Sequence, residues 1–471
     1  MKYLLILTLS LCLTITASAQ VLDSLQVQAG TSLTVASKDF LPLWLVSNRY
    51  GVISDQQFDF STHVRATNTN QVLSWLKLDY GVDIYNNDHL RKTLIQEAYL
   101  KATYKNLKLS VGRFKQVVGE VDPDLSSGSL GISGNALPIP EIKLSLDYTA
   151  IPFTNGWIQF KGQIGHGLMG DNQFMKGAYL HEKNIYFRLG KRKLKLYGGI
   201  QHYAVWGGSR PDFLSLDKSW GGFWNILLAK ESDDGSTTGQ VRPNRSGDQR
   251  GVIEAGAEWE NENYKINLNN QTPFDMGQGI DIRNIDRLLS LNITNKKPGA
   301  KLKKLVLEFI YTKQMNDFYP LQYRENYYNN GIYRTGWEYN DQIIGTPLFL
   351  NRVRGSKYFD DVQPYDWDGP QRDVKPLSNI INNRVVGGHA AFVYEITKQI
   401  STKTKLTYTK NYGKYGPEHF ETPVSQFYTM EEVSWRVPNT QLSLSGTIAY
   451  DFGKLYNNFG SMIGLQWQLR N

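Results

Sequence analysis

One segment of the chain carries an unusual density of side chains that can bind sugars. Thirteen of the fifty residues at 318–367 are aromatic, and Asn, Asp, Arg and Gly residues separate them. Aromatic rings stack on the C–H faces of sugars, while amide, carboxylate and guanidinium groups bond to hydroxyl groups and uronates. The pattern predicts polysaccharide binding by ten residues, Tyr327, Tyr328, Tyr333, Arg334, Trp337, Tyr339, Asn340, Tyr365, Asp366 and Trp367. The alternative, that the rings pack the segment against itself inside the mouth of a barrel, stays open.

A second set of polar residues lies near the ends of neighbouring predicted strands. They should meet at one outer rim as a hydrogen-bonded network made of His166, His181, Glu182, His202 and Trp206. Imidazole and carboxylate groups together could bind zinc, but no His-x-x-x-His spacing supports such a site. The sequence therefore predicts a polar network at the rim and no metal site.

No sequence pattern indicates catalysis. The chain has no Gly-x-Ser-x-Gly motif, and no pair of carboxylates stands out as a glycosidase pair. A solvated acidic turn or calcium-binding oxygens explain Asp360, Asp361, Asp366 and Asp368 at least as well. We therefore expect no enzymatic activity, no catalytic residue and no cofactor.

The first residues of the chain predict export. Lys2 precedes an apolar run, and Ala17 and Ala19 form a small-residue cleavage site, so residues 1–19 are predicted to be a signal peptide. Cys12 is the one cysteine and lies in this segment, which leaves no thiol in the mature chain. The 52 basic and 44 acidic residues are spread along the chain, which argues against a nucleic-acid partner and suits anionic polysaccharide or lipid headgroups.

Strands that alternate polar and apolar residues must position these side chains. On either side of a basic turn at residues 190–193, Ile185 and Phe187 in one arm and Leu194 and Leu196 in the other alternate with polar residues. Each arm is about ten residues long or more, as a tilted membrane-crossing strand requires. Eighteen strands are predicted, at residues 25–36, 57–67, 73–85, 93–104, 107–115, 142–150, 157–166, 179–189, 194–206, 251–261, 263–271, 287–295, 302–313, 384–396, 403–412, 428–437, 441–451 and 458–469.

The connections between these strands predict a closed membrane barrel. Short polar turns alternate with long connections at 116–141, 207–250 and 314–383, and outer-membrane barrels place the long ones outside the cell. We expect an all-β transmembrane outer-membrane barrel of about 18 antiparallel strands at residues 57–471, with long extracellular loops closing its mouth. A segment at residues 20–56 precedes it and carries a weak first strand and a candidate short helix or plug. A stack of soluble β-sandwiches is the structural alternative.

One further helix is expected inside this barrel. Residues 215–230 could form a short helix that packs into the lumen. It would belong to the connection at 207–250.

Several segments, in their order along the chain, resemble the Wzi-type capsule assembly family of outer-membrane proteins. They are residues 96–100 with 109–113, 133–142, 151–157, 166–167, 180–183, His202 with 206–208, 328–333 and 345–348. The resemblance implies an eighteen-stranded barrel with a periplasmic α-helical plug and a lectin-like role in holding capsular polysaccharide at the cell surface. The chain departs from the family because only residues 38–53 could form the helix expected ahead of the first strand. The periplasmic plug should thus be reduced or absent, and the sequence leaves open whether the lumen is sealed.

These observations predict an exported protein of the cell outer membrane that binds extracellular or capsular polysaccharide and supports capsule assembly or retention. Its expected partners are that polysaccharide and outer-membrane lipid, with a polysaccharide export complex as a further candidate. A channel for glycans or small solutes is the alternative function.

Overall fold

The computed structural model describes residues 25–230, 247–275, 277–369, 378–415 and 420–470. The predicted signal peptide lies outside these residues, as do parts of the connections at 207–250 and 314–383. In chain order the strands are β1 (Gln26–Ala36), β2 (Phe58–Leu73), β3 (Leu76–Asn87), β4 (Lys92–Tyr104), β5 (Leu107–Arg113), β6 (Glu141–Ala150), β7 (Ile158–Gly170), β8 (Lys176–Leu189), β9 (Leu194–Ser209), β10 (Asp248–Glu260), β11 (Tyr264–Phe274), β12 (Arg287–Asn295), β13 (Leu302–Tyr311), β14 (Glu338–Tyr339), β15 (Gln342–Ile343), β16 (Leu350–Asn351), β17 (Ile380–Asn382), β18 (Val385–Glu395), β19 (Ile400–Asn411), β20 (Val424–Arg436), β21 (Leu442–Gly453) and β22 (Asn458–Arg470).

Eighteen of these strands close into one antiparallel barrel. The strands β1 to β13 and β18 to β22 pair in chain order, and β1 also pairs with β22, with Val35 opposite Ser461. The short strands β14 to β17 form two small ladders within the connection between β13 and β18. The predicted fold class is confirmed, and the weak first strand is a full member of the barrel.

The barrel wall has an apolar outer face and a polar inner face. In β8, Ile185, Phe187 and Leu189 point outward and are exposed, whereas Tyr186 between them points into the lumen and is buried. This period-two pattern places a band of apolar side chains against lipid. Among the described helices, none is both long enough and apolar enough to span a membrane.

The two ends of the barrel differ in their connections. Tight or short turns join the strands at one end, as at residues 105–106 and 190–193. The four longest connections, residues 37–57, 114–140, 210–247 and 312–384, all lie at the other end. By the general rule for outer-membrane barrels, the long connections are extracellular and the short turns are periplasmic.

The helix expected within residues 38–53 is shorter than predicted and lies elsewhere. Only Leu43–Val46 is helical, and it follows β1 at the extracellular end instead of preceding it at the periplasmic end. The helix ends at Ser47, whose ψ angle of 151° is extended, and positive φ angles at Asn48 and Tyr50 keep the following residues out of a right-handed helix. The buried side chain of Trp44 points into the lumen and donates a hydrogen bond from Nε1 to Thr407 (3.0 Å).

The second predicted helix forms on the opposite side of the wall from the one expected. The helix Trp220–Leu227 begins at Ser219, whose hydroxyl accepts a hydrogen bond from the Gly222 amide. Its Phe223 ring packs against His181, which points outward from β8. The helix therefore covers the outer wall of the barrel, and the expectation that it fills the lumen is wrong.

Candidate functional site

The connection at residues 114–140 folds back through the lumen to the periplasmic end. Three carboxylates at its tip pair with lysines of three strands. Asp122 meets Lys304 of β13 (2.9 Å) and Asp124 meets Lys403 of β19 (2.9 Å). Glu120 accepts a hydrogen bond from Lys161 of β7. Each lysine lies within the first four residues of its strand, counted from a periplasmic turn, so the tip reaches the periplasmic mouth. We call residues 114–140 the plug loop.

Buried contacts hold the rest of the plug loop against the inner wall. The Ser127 amide donates to Glu308 Oε2 (2.8 Å), and the carbonyl oxygen of Leu125 lies 2.7 Å from His389 Nε2. The Leu125 side chain is fully buried against β13 and β18. Because buried polar groups need partners, this complementary set fixes the path of the loop.

The connection at residues 312–384 packs on top of the plug loop. Trp337 Nε1 donates to the Gly131 carbonyl (2.8 Å), and the Tyr328 hydroxyl donates to the Leu130 carbonyl (2.7 Å). On its other side the Trp337 ring lies 5.3 Å from the Tyr203 ring of β9. We call residues 312–384 the cap loop; together the two loops form one packed column inside the barrel.

Five of the predicted sugar-binding aromatic residues belong to this column. They are all buried, and they are Tyr327, Tyr328, Tyr333, Trp337 and Tyr339. The tyrosine hydroxyl groups bond within the protein: Tyr327 donates to Asp286 (2.8 Å) and Tyr333 donates to the Gly207 carbonyl (3.0 Å). For these five residues the packing alternative describes what the structure shows, because no ring face is open to a glycan.

The other predicted residues lie near the extracellular surface. Asp366 and Asn340 are exposed and Tyr365 is half-buried, while Trp367 is buried beneath them. The Trp367 ring lies 5.2 Å from Tyr365 and 6.3 Å from Phe174. We call Tyr365, Asp366 and Trp367 the mouth group.

Guanidinium groups from two connections surround the mouth group. Arg352 stacks 4.7 Å from the centre of the Tyr365 ring, and Arg334 lies 4.8 Å from that of Phe174. Arg210 donates a hydrogen bond to the Trp367 carbonyl (2.6 Å). Of these three arginines, only Arg334 is among the predicted site residues. Arg210 and Phe174 come from other connections, and no spacing in the sequence relates them to residues 365–367.

Burial sets the ionisation of two carboxylates in the cap loop and beside it. Burial raises the pKa of Glu338 to about 7, although Asn351 and Asn379 donate to its Oε2 (2.6 and 2.7 Å). Burial also raises the pKa of Asp286 to about 6, against the effect of the Tyr327 hydrogen bond. Desolvation disfavours the charged form of a carboxyl group, so both hold a proton more strongly than in water.

The predicted histidine network divides between the two faces of the wall. His166, His181 and Trp206 point outward, and the His166 ring lies 6.4 Å from His181 and 5.6 Å from Trp206. Among the described residues, the His181 ring nitrogens and Trp206 Nε1 have no hydrogen-bond partner, and these side chains form an aromatic cluster beneath the helix Trp220–Leu227. His202 lies beside Gln249 (3.2 Å).

Glu182 does not join that cluster. It points into the lumen and pairs with Lys143 (2.7 Å), because neighbouring residues of a strand face opposite sides. The expectation of one network containing both His181 and Glu182 is therefore wrong. Within the described part of the chain, no group of three His, Cys, Asp or Glu side chains is placed to hold a metal ion.

A family model and one solved barrel agree with this architecture. The family model described as capsule assembly protein Wzi matches residues 30–350. One similar solved structure is Wzi of Escherichia coli, which is described as a carbohydrate-binding β-barrel involved in group 1 capsule assembly. It has a TM-score of 0.55 and 14% sequence identity, and the match covers 96% of this chain and 86% of that one. OccK5 of Pseudomonas aeruginosa has a TM-score of 0.48 at 10% identity, covering 95% and 98%. No curated protein matches significantly.

Proposed function

The chain belongs to the Wzi capsule assembly family, and from this premise we propose that it binds an extracellular polysaccharide and supports the assembly or surface retention of a capsule. The protein is an outer-membrane β-barrel, which places its long connections at the cell surface. Its action is binding, without a chemical step. The polysaccharide is the principal partner; outer-membrane lipid and a polysaccharide export complex are partners in the same proposal.

One observation carries this proposal over the alternative of a channel, namely that extracellular connections fill the lumen. The plug loop reaches the periplasmic mouth, and the cap loop packs on it through buried side chains such as Trp337. A pore for glycans needs a continuous water-filled path, which such packing opposes. The extracellular face is then the place where a polysaccharide meets the protein.

The mouth group is the proposed contact surface for the polysaccharide. The half-buried Tyr365 ring is held by Arg352 and Trp367, so little conformational entropy is lost when a sugar contacts the exposed part of this side chain. The exposed carboxylate of Asp366 can accept hydrogen bonds from sugar hydroxyls. Asn340 is a further exposed polar residue of the cap loop, whereas the buried Arg334, the buried tyrosines and Trp337 support the surface from below.

Substitutions at Tyr365 and Asp366 test the proposal. Tyr365→Ala and Asp366→Asn together should weaken binding of the purified barrel to capsular polysaccharide by about tenfold, because a stacking face and a charged acceptor are lost. In cells, the same variant should release capsule into the medium. The barrel itself should stay heat-modifiable on gels, since neither side chain is fully buried.

Phe153→Ala provides the matched control. This ring lies in a periplasmic turn and is fully exposed, so its loss removes an aromatic face without disturbing the mouth. If Tyr365→Ala/Asp366→Asn and Phe153→Ala retain polysaccharide equally well, the mouth group is not the binding surface. If the unmodified barrel conducts ions steadily in a planar bilayer, the channel alternative replaces binding.

A further inference from the structure

A group of cations surrounds the outer ends of β13, β18 and β19. Lys313 and Arg384 adjoin β13 and β18, and Lys410 lies near the end of β19. By the alternation of the three strands these side chains belong to the outward rows, because the neighbouring Thr312, Val385, Thr409 and Asn411 are the buried, inward members. The cations therefore face the membrane side of the rim and turn away from the lumen.

Two tyrosines organise these cations. The Tyr415 ring lies 4.2 Å from the Arg384 guanidinium and 4.9 Å from that of Arg324. The Tyr412 ring lies 4.7 Å from the Lys313 ammonium and 5.8 Å from that of Lys410. We call these residues the rim patch; its members are Lys313, Arg324, Arg384, Lys410, Tyr412 and Tyr415.

The rim patch is joined by hydrogen bonds as well as by ring contacts. Arg384 Nε donates to the Lys313 carbonyl (3.1 Å), and the Tyr415 hydroxyl donates to the Gln314 carbonyl (2.6 Å). These bonds leave the outer nitrogens of the guanidinium group and both ammonium groups available to an external partner. The rim patch therefore presents several N–H hydrogen-bond donors in positions that these contacts fix.

The positive charge of the rim patch is not balanced within the described chain. None of its four cations forms a salt bridge with a described carboxylate. Asp317 is close enough to influence Tyr415, but it pairs with none of them. In contrast, Lys304 and Lys403 of the same strands are paired with acids in the lumen. Four cations in one place, none of them paired with a described carboxylate, attract an anion from outside.

The apolar outer surface next to the rim patch fixes its level in the membrane. Exposed apolar side chains follow the same outward rows, with Leu307 and Phe309 on β13 and Leu406 and Tyr408 on β19. Lys410 and Lys313 come directly after these rows on the extracellular side. Cations at this boundary meet the headgroups of lipids whose tails cover the apolar rows.

We propose that the rim patch binds the phosphate groups of a phosphorylated glycolipid in the outer leaflet. The arginines match phosphate geometry through paired N–H donors, the lysines add charge, and the tyrosine rings can pack against the sugar. The outward direction favours a lipid over the polysaccharide proposed for the mouth group. The rim patch is a separate site from the mouth group; it deepens the proposed contact with outer-membrane lipid and does not depend on polysaccharide binding.

Native mass spectrometry of the full chain in detergent can measure this binding, with bisphosphorylated lipid A as the probe. Arg384→Gln/Lys410→Gln removes two charges and should weaken lipid A binding roughly thirtyfold. Lys410→Gln alone should weaken lipid A binding roughly fivefold. This single variant keeps the test valid if Arg384→Gln impairs folding. Lys191→Gln/Arg192→Gln, at an exposed periplasmic turn, is the matched control and should bind as the unmodified protein does.

Three results would overturn the proposal. The first is equal lipid A affinity in the rim and control variants. The second is that dephosphorylated lipid A binds as tightly as the bisphosphorylated form, since phosphate would then play no part. The third is displacement of lipid A by inorganic phosphate or by polygalacturonate at matched charge concentration, which would assign the patch to a free anion or to a glycan. Phosphate-dependent binding that only the rim variants lose is the expected outcome.

Discussion

Neutralising the three lysines that hold the tip of the plug loop should open the periplasmic end of the lumen. The variant Lys161→Gln/Lys304→Gln/Lys403→Gln keeps side chains of similar length but removes all three ion pairs with Glu120, Asp122 and Asp124. The buried contacts higher in the loop, including Leu125, remain. We therefore expect the tip to undock while the barrel stays folded.

The size of the effect follows from the exposure of the three pairs. Solvent reaches all of them, and Asp124 most, with 52% of its side chain exposed. Partly exposed ion pairs contribute about 0.2–1 kcal/mol each, so the three together stabilise the docked tip by roughly 1–2 kcal/mol. That free energy corresponds to an increase of roughly 5- to 30-fold in the undocked population.

Single-channel recording in planar bilayers measures this population directly. The unmodified barrel should be closed for nearly all of the recording, and the triple variant should open more often by that factor. Lys296→Gln is the matched control, because it breaks a periplasmic ion pair of similar exposure with Glu260, away from the plug loop. If the triple variant opens no more often than Lys296→Gln, the ion pairs do not seal the lumen.

Two further predictions concern the cap loop. Trp337→Ala should destabilise the packed column by about 3–5 kcal/mol, because it removes a fully buried ring and its hydrogen bond to Gly131. The loops of this variant should become sensitive to added protease. Trp224→Ala, at an exposed position, should change neither the stability nor the protease sensitivity. Because the pKa of Glu338 is raised to about 7, the folded protein should be most stable at and below pH 4.5, the usual pKa of a glutamate, and should lose stability as the pH rises to about 7. Thermal unfolding of Glu338→Gln should depend less on pH across this interval. An unchanged pH dependence of unfolding would contradict this prediction.

The sequence was sufficient to predict the barrel because strand alternation is a local property. Each of the eighteen predicted strands overlaps an observed one, and the three predicted long loops correspond to three of the four longest connections, the fourth being residues 37–57. Local rules also separate His181 from Glu182, since adjacent strand residues face opposite sides, and the rim network could have been rejected on that ground.

The course of the long connections could not be predicted in the same way. An aromatic loop has the same composition whether its rings face sugar or pack in a lumen, so Trp337 and Tyr365 look alike in sequence. Their environments depend on the plug loop, which lies about two hundred residues earlier, as the separation of 206 between Trp337 and Gly131 shows. The helix Trp220–Leu227 has apolar residues that fit either side of the wall, and tertiary contacts placed it outside.

The path of the plug loop also has a consequence for the order of events during biogenesis. The loop follows the fifth strand, yet its Asp124 is held by Lys403, which lies 279 residues later. That ion pair cannot form until β19 has joined the sheet. The closing seam joins β1 to β22, from the two ends of the chain. Until β19 is in place, Asp124 lacks its Lys403 partner, so sealing of the periplasmic mouth depends on strands that are far apart in the sequence.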